Sequence, residues 1–251
     1  MELRLPIGVS LDGQILRDFT LAQVTGKIRI ALNDAPAHMP GIDLVALRHI
    51  IASLGSVQGA HDHLIRRLTI PDRDYVHALC TARRHGGNIP VRGRCECGEK
   101  LEDSVALDNV QVLDASAEVT WVNDKACLSA LVELPESGRS VPLVMALPTI
   151  ASELKVAEAR QTKKKSDGEI FADRVAEHVV SLDGRPISSK DLREFPLHDF
   201  DAVLAAMDEA KAPRLDGEAL VICPSCGVES TLPLLWDEWI VPLARRTGRG
   251  S

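Results

Sequence analysis

Aromatic residues are scarce in this chain of 251 residues, which contains one tyrosine, three tryptophans and four phenylalanines. Proteins that bind single-stranded nucleic acid stack the bases on aromatic side chains, so the scarcity disfavours that function. Cationic residues are also in the minority, since 29 lysines and arginines stand against 36 aspartates and glutamates and the net charge is −7. Nucleic-acid-binding proteins normally carry a basic face. We therefore expect protein partners and no nucleic-acid partner.

Long apolar runs are missing as well. No stretch of about 18 consecutive apolar residues occurs, so the sequence predicts no membrane span. Residues 1–6 lack the apolar core of a secretory signal peptide, which favours a reducing compartment where disulfides are rare. The apolar share of 45% is still large enough for the core of one large or two small domains.

Common catalytic motifs are absent too, because no glycine-rich phosphate loop, nucleophile elbow or zinc-protease helix is found. The most suggestive group is His61-Asp62-His63, since paired imidazoles beside a carboxylate can hold a catalytic metal. On a helix, however, residues two apart point to different faces, so exposed surface is the better interpretation. We expect no catalytic residue and no enzyme activity, and a hydrolase that uses His61 and His63 is the weakest alternative.

Hydrophobic periodicity predicts an α+β fold in two modules, and the first module spans residues 1–87. It begins with a β-hairpin over 3–24 that turns at Asp12-Gly13. Pro6 makes the first strand an edge, which offers a docking surface for other proteins. Asp43 is the expected N-cap of an amphipathic helix that ends at Gly55. The other expected helices are 26–34, 58–68 and one that Thr69 opens and that ends at Gly86-Gly87.

The second module, residues 88–251, is predicted to be mixed α/β. Strands are expected over 89–112, 118–147 and 217–233, and helices over 149–160, 169–181, 198–211 and 235–245. The polar stretch 161–168 indicates a mobile loop, and residues 247–251 indicate a disordered tail.

Four cysteines form two tight pairs, and each pair is followed directly by a glycine. A glycine there permits the positive φ of a tight turn, which points backbone N–H groups at the sulfurs. Two such turns that face each other would supply four thiolates, the ligand set of a structural zinc ion. A reduced thiol cluster and disulfides are the alternatives. We predict zinc-ribbon-like knuckles at 95–97 and 223–226, with Zn²⁺ as a structural cofactor bound by Cys95, Cys97, Cys223 and Cys226.

Two further cysteines, Cys80 and Cys127, lie in apolar patterns. Free cysteine is often buried as a small hydrophobic residue, so both are predicted to belong to the core.

The order of landmarks along the chain resembles a known family. Leu5-Pro6 and a hairpin are followed by 71–79 (PDRDYVHAL), 83–87 (RRHGG), 90–98 (PVRGRCECG), 147–149 (LPT), 181–184 (SLDG) and 223–227 (CPSCG). In this order, and with its two cysteine pairs, the chain resembles the baseplate hub and tail assembly family of T-even-like contractile-tailed phages. That family has relatives in contractile injection systems. The tight Cys-x-Cys departs from the wider cysteine spacing of the relatives.

The resemblance implies a non-enzymatic structural or assembly component of the hub region of a contractile tail baseplate. Its partners would be other baseplate and tail hub proteins in a hetero-oligomeric assembly. Its place would be the host cytoplasm during assembly, the tail baseplate of the virion, or both. The alternative function is a zinc-ribbon adaptor in transcription or replication, and the net charge of −7 weighs against it.

Overall fold

The computed structural model describes residues 3–59 and 61–240 as a mixed α/β protein with several antiparallel sheets. Eight helices lie in this part of the chain: α1 (Gly26–Asn33), α2 (Met39–Ile50), α3 (Asp62–Ile65), α4 (Ile70–Arg84), α5 (Ile150–Thr162), α6 (Asp167–His178), α7 (Ser189–Arg193) and α8 (Leu197–Glu209). Its strands are β1 (Leu3–Leu11), β2 (Gln14–Leu21), β3 (Ile51–Leu54), β4 (Val57–Gln58), β5 (Asn88–Arg94), β6 (Lys100–Ala106), β7 (Val112–Leu113), β8 (Thr120–Val122), β9 (Lys125–Leu134), β10 (Arg139–Ala146), β11 (Val179–Leu182), β12 (Arg214–Leu215), β13 (Glu218–Ile222) and β14 (Glu229–Pro233).

Helices long and apolar enough to span a bilayer do not occur among residues 3–59 and 61–240.

The predicted N-terminal hairpin is present as β1 and β2, and it turns at Asp12-Gly13. Both turn residues have positive φ, 50° at Asp12 and 80° at Gly13, as the tight hairpin turn requires. The sheet runs in the order β1-β2-β3-β4, so β1 lies at its edge, as Pro6 predicted. The inward face of this sheet packs against α2, α4 and α5, where Leu5, Leu47 and Leu154 are buried in one core.

A second four-stranded sheet has the order β11-β10-β9-β8 and is built by local hairpins. Turns at Asn123-Asp124 and 135–138 join β8 to β9 and β9 to β10. One face packs against α6 and α8, where Leu143, Val175 and Val203 are buried. Ile7 of β1 belongs to this second core, although its neighbours in the strand belong to the first.

Helix α4 contributes to two cores. Thr69 caps it as predicted, because its side chain accepts the N–H of Asp72. Val76 is buried in the first core, while Ala78 is buried in a third core beneath the hairpins β5–β6 and β13–β14. Trp239, near the C-terminal end of the described residues, is also buried in the first core. The two-module boundary at residue 87 stays a prediction.

Helix α2 differs from the prediction at both ends. It begins at Met39, because His38 serves as the N-cap and Pro40 fits the first turn, where its missing N–H is not needed. The Nδ1 atom of His38 accepts the N–H of Gly41 at 3.1 Å. Asp43 is therefore not a cap but a buried residue inside the helix. The helix ends at Ile50 because the next four residues pair with β2 as β3.

The predicted loop at 161–168 is also shorter than expected, because α5 runs to Thr162 and α6 begins at Asp167. Ser166 and Glu169 form a capping box: the Ser166 hydroxyl accepts the N–H of Glu169 at 3.3 Å, and the Glu169 carboxylate accepts the N–H of Ser166 at 2.9 Å. Helix α6 ends at His178, and β11 begins at Val179 because it pairs with β10. The sequence pattern predicts helix as far as residue 181, so this end of the prediction is wrong.

The C-terminal predictions fall largely beyond the described part of the chain. Residues 235–240 form turns rather than the start of a helix. The remainder of the helix predicted over 235–245, and the tail predicted over 247–251, lie outside the described residues.

Candidate metal centre

Two short hairpins carry the four cysteines of the centre. The first hairpin pairs β5 with β6, and its turn is formed by residues 95–99. The second hairpin pairs β13 with β14, and its turn is formed by residues 223–228. We name these turns the first knuckle and the second knuckle. Since over a hundred residues separate them in sequence, only the tertiary fold can bring them together.

The two hairpins meet over a shared apolar core. Val91 and Leu101 of the first hairpin are buried with Val221 and Leu232 of the second. Gly93 permits this close approach, because a Cβ atom at that position would collide with the side chain of Leu232. The packing of the strands therefore places the knuckles opposite each other.

The predicted glycine turns are present in both knuckles. Gly98 has a φ of 90° and Gly227 a φ of 73°, which glycine adopts readily and other residues do not. The N–H of Gly98 donates to the carbonyl of Cys95 at 2.9 Å, and the N–H of Gly227 donates to the carbonyl of Cys223 at 2.9 Å. Each turn is thus closed by a backbone hydrogen bond, and its two thiols project to the same side.

The four sulfur atoms form one compact cluster, as the prediction requires. The Sγ atoms of Cys95 and Cys226 are 3.5 Å apart, and those of Cys97 and Cys223 are 3.7 Å apart. All four lie within 4.8 Å of one another. A tetrahedron with metal–sulfur bonds of about 2.3 Å has edges of about 3.8 Å, so the cluster matches the size of a tetrathiolate site. The four thiols could therefore bind a metal ion.

Backbone N–H groups and the neighbouring sulfurs together separate the pKa values of the thiols. The N–H of Cys97 donates to the sulfur of Cys95 and is the main cause that lowers the pKa of Cys95 to about 7. At Cys226 the N–H of Val228 lowers the pKa, but the three neighbouring sulfurs outweigh it and raise the pKa to about 12. Thiolates this close repel one another, and a divalent cation removes that repulsion by binding all of them. The donor set suits a thiophilic metal ion.

The cluster sits partly beneath the surface. Cys95 and Cys223 are buried, whereas Cys97 and Cys226 are exposed. The hydroxyl of Ser225 in the second knuckle donates to the carboxylate of Glu99 in the first at 3.0 Å, so a side-chain bond also links the knuckles. Four thiolates around one ion fill a tetrahedron and leave no open position for a substrate.

The remaining cysteines are core residues, as predicted. Cys80 and Cys127 are both buried and lie outside the cluster. Burial raises the pKa of Cys80 to about 12, so this thiol stays protonated and unreactive near neutral pH.

His61 and His63 do not face apart as the helical pattern predicts. The helix begins only at Asp62, so His61 lies before it, and the two rings stack with centroids 5.7 Å apart. Both side chains are exposed, and the carboxylate between them pairs with Arg48 at 3.2 Å. Across residues 3–59 and 61–240, the cysteine cluster is the single group of side chains suited to hold a metal ion.

A buried polar network joins α2, α4 and the segment after β14, and sequence reasoning misses it. The indole N–H of Trp239 donates to Nδ1 of His77 at 2.9 Å, and Nε2 of His77 lies 3.4 Å from the carboxylate of Asp43. Arg73 holds the other oxygen of Asp43 at 3.3 Å. The available sequence signal is weak, since it consists of one carboxylate inside an apolar helical pattern.

A cleft of about 330 Å³ lies between the β8–β9 turn, α5 and the end of α6. Two of the four cations that line it form ion pairs, since Arg67 pairs with Asp124 and Lys155 pairs with Glu177. The hydroxyl of Ser10 donates to Asp124 at 2.6 Å, and that of Ser152 donates to the carbonyl of Thr149 at 2.8 Å. Nδ1 of His178 lies 3.1 Å from the carbonyl of Ala146, so no serine–histidine hydrogen bond is found among the described residues of the cleft.

Comparison of the chain with protein-family models, with curated proteins and with solved structures finds no match. Two features of the chain itself bear on its function, the geometry of the cysteine cluster and the order of sequence landmarks. The cluster is the more specific of the two, because its four ligands meet the distance requirement of one metal centre.

Proposed function

We propose that this chain is a non-enzymatic structural or assembly component of a contractile tail baseplate, in the hub region, with a zinc ion as its structural staple. The observation that carries the proposal is the meeting of Cys95, Cys97, Cys223 and Cys226 within 4.8 Å across two separate hairpins. Zinc is the metal that tetrahedral sets of four thiolates most often hold.

The zinc ion would stabilise the fold by cross-linking two segments that are distant in sequence. Cys97 and Cys223 are 126 positions apart in sequence, so a metal that joins them closes a long loop of the unfolded chain. Binding free energy at such a site adds to the free energy of unfolding, because the unfolded chain does not present the four ligands together. When free zinc is about 1,000 times the dissociation constant, this gain is about 4 kcal/mol.

The baseplate assignment is supported by the resemblance, in which the two cysteine pairs are the anchoring landmarks. The acidic net charge of −7 suits docking to proteins rather than to nucleic acid. A zinc-ribbon adaptor in transcription or replication would use the same knuckles, and the partners of the purified chain distinguish the two functions.

Metal analysis of the purified chain tests the staple. We expect about one zinc ion per chain in the parent and in the control Cys127→Ala, and none in Cys226→Ser. The melting temperature of Cys226→Ser should be lower by about 8–16 °C, since each kcal/mol corresponds to about 2–4 °C in a chain of this size. A parent protein without metal, or a variant with unchanged metal content and melting temperature, contradicts the staple.

Deletion of the gene tests the baseplate function. A strain without this chain should accumulate tail components that fail to form complete contractile particles, and plasmid-borne parent chain should restore them. Particles that assemble and contract normally in the deletion strain would overturn the assignment. Co-purification with a polymerase or a replication complex would favour the adaptor function instead.

A further inference from the structure

Strand β13, which leads into the second knuckle, has one unpaired edge. It pairs with β14 on one side, and within residues 3–59 and 61–240 no strand pairs with its other side. Edge strands present free N–H and C=O groups, which another strand can complete. Other sheets of this protein also have edge strands, so the side chains beside an edge decide how well it suits an added strand.

Two hydrogen bonds define which backbone groups face the open side. The N–H of Leu234 donates to the carbonyl of Gly217 at 2.8 Å, and the N–H of Cys223 donates to the carbonyl of Val228 at 2.9 Å. In an antiparallel pair these positions alternate along the strand. The backbone groups of 219 and 221 therefore face β14, and those of Leu220 and Ile222 face the open edge.

The side chains at the same two positions are apolar and uncovered. Leu220 is 72% exposed, the highest fraction among the large apolar side chains of the described residues, and Ile222 is 65% exposed. Their cross-strand partners, Thr231 and Glu229, are exposed as well. The outer face of this hairpin thus combines an unpaired edge with two exposed apolar side chains that an added strand can cover.

The outer face of the hairpin itself carries carboxylates and no cation. Residues 215–240 contain no lysine, arginine or histidine. Glu218 and Glu229 lie on the outer face of the hairpin itself, and both are exposed. Glu238 of the same segment pairs with Arg92 of β5, so Glu218 and Glu229 set the charge of the outer face. A complementary partner segment must therefore be cationic.

We propose that β13 binds an extended, basic segment of a partner protein by strand addition, which rests on the proposed assembly function and specifies the chemistry of the partner. The added strand pairs with the backbone of Leu220 and Ile222. Its apolar side chains cover those two residues, and its lysines or arginines lie near Glu218 and Glu229. Main-chain bonds supply affinity in this binding mode, and alternate side chains supply specificity.

Fluorescence anisotropy with a labelled peptide of four Val-Lys repeats tests this proposal on the full chain. We expect the peptide to bind the parent and a peptide of four Val-Glu repeats to bind at least about tenfold more weakly. Leu220→Pro removes one outward N–H while leaving the bonds to β14 intact, so the Kd for the Val-Lys peptide should rise about tenfold. The matched control is Leu131→Thr, which alters a leucine of similar exposure, 69%, in β9 and should leave the Kd unchanged.

Several outcomes would overturn the proposal. The first is equal binding of the two peptides by the parent, and the second is the same Kd for Leu220→Pro and the parent. The third is a parent that binds neither peptide and forms a dimer, when Leu220→Pro does not form that dimer. If Leu220→Pro does not fold, the double variant Glu218→Lys/Glu229→Lys must reverse the peptide preference, and an unchanged preference counts against the proposal. The peptide measurement needs no phage particle. A negative result would overturn the strand-addition proposal alone, and the gene deletion would still test the baseplate function separately.

Discussion

Asp72 shows how a single side chain can hold two elements together. Its carboxylate is fully buried at the start of α4 and accepts the N–H of Ile7 at 2.8 Å and the N–H of Gly8 at 3.0 Å. The hydroxyl of Thr69 donates to the same carboxylate at 2.9 Å. The side chain therefore fastens β1 to α4, and it satisfies backbone groups at an irregular point of the hairpin.

Burial of Asp72 also makes stability depend on pH. Desolvation raises its pKa from 3.8 to about 6, against hydrogen bonds from Ile7, Thr69 and Gly8 that lower it. Between these two values the folded chain holds a proton that the unfolded chain releases. The stabilising contribution is thus fully present below about pH 4 and is lost as the pH rises through about 6.

Asp72→Asn is expected to remove this dependence, because an amide does not titrate. Relative to the variant, the free energy of unfolding of the parent should fall by about 2 kcal/mol between about pH 4 and pH 7. Urea unfolding of both proteins over this pH range measures the difference. Parallel stability curves would show that Asp72 does not titrate with a raised pKa.

At the scale of elements, the join between α5 and α6 is set by one local signal. The polar stretch 161–168 suggests mobility by composition, yet Ser166 and Glu169 satisfy each other's backbone N–H groups at the start of α6. The same bonds lower the pKa of Glu169, with the N–H of Ser166 as the main cause. The composition of a segment describes its average polarity. A capping box depends on two particular side chains three positions apart, so composition does not reveal it.

Ser166→Ala should therefore destabilise the protein by about 1 kcal/mol, the usual cost of a lost N-cap. Lys164→Ala, two residues earlier in the same exposed stretch, is the matched control and should change the free energy of unfolding by less than about 0.5 kcal/mol. Denaturant unfolding monitored by circular dichroism gives both values. Equal effects of the two substitutions would mean that the capping box does not stabilise α6.

The N-terminal hairpin belongs to the same scale, since it forms a wall of the first core rather than a detachable arm. Five of its apolar side chains are buried there: Leu3, Leu5, Val9, Leu16 and Phe19. Removing residues 1–24 would expose that core, so a truncation cannot test docking at this edge. Docking of partners by the hairpin stays a prediction.

At the scale of the whole molecule, Ile7 links two hydrophobic cores. It is fully buried in β1 and packs into the core of the second sheet, while Leu5 and Val9 on the same strand pack into the first. A strand whose side chains enter two cores couples the folding of the parts that it joins.

Ile7→Ala is expected to lower the free energy of unfolding by about 2–5 kcal/mol, because it removes a buried side chain and leaves a cavity. Ile15→Ala in β2 is the matched control, since Ile15 is 46% exposed, and its effect should stay within about 0.5 kcal/mol. Thermal and urea unfolding measure both variants. A small effect at Ile7 would show that the two cores do not share this residue.

The sequence alone determined the features that depend on residues close in the chain. The Asp12-Gly13 turn, the Thr69 cap of α4 and the glycine turns of the knuckles were all predictable, because each needs one residue type at one backbone position. The knuckle pattern also indicated that two distant segments meet, since one metal centre requires four ligands.

Only the tertiary structure decided the features that depend on partners distant in sequence. The residues after Ile50 form β3 rather than helix because β2 offers them backbone hydrogen bonds. Asp43 is buried because Arg73 and His77 of α4 lie beside it. The open edge of β13 likewise follows from which strands pair, and pairing over long separations leaves little trace in local sequence.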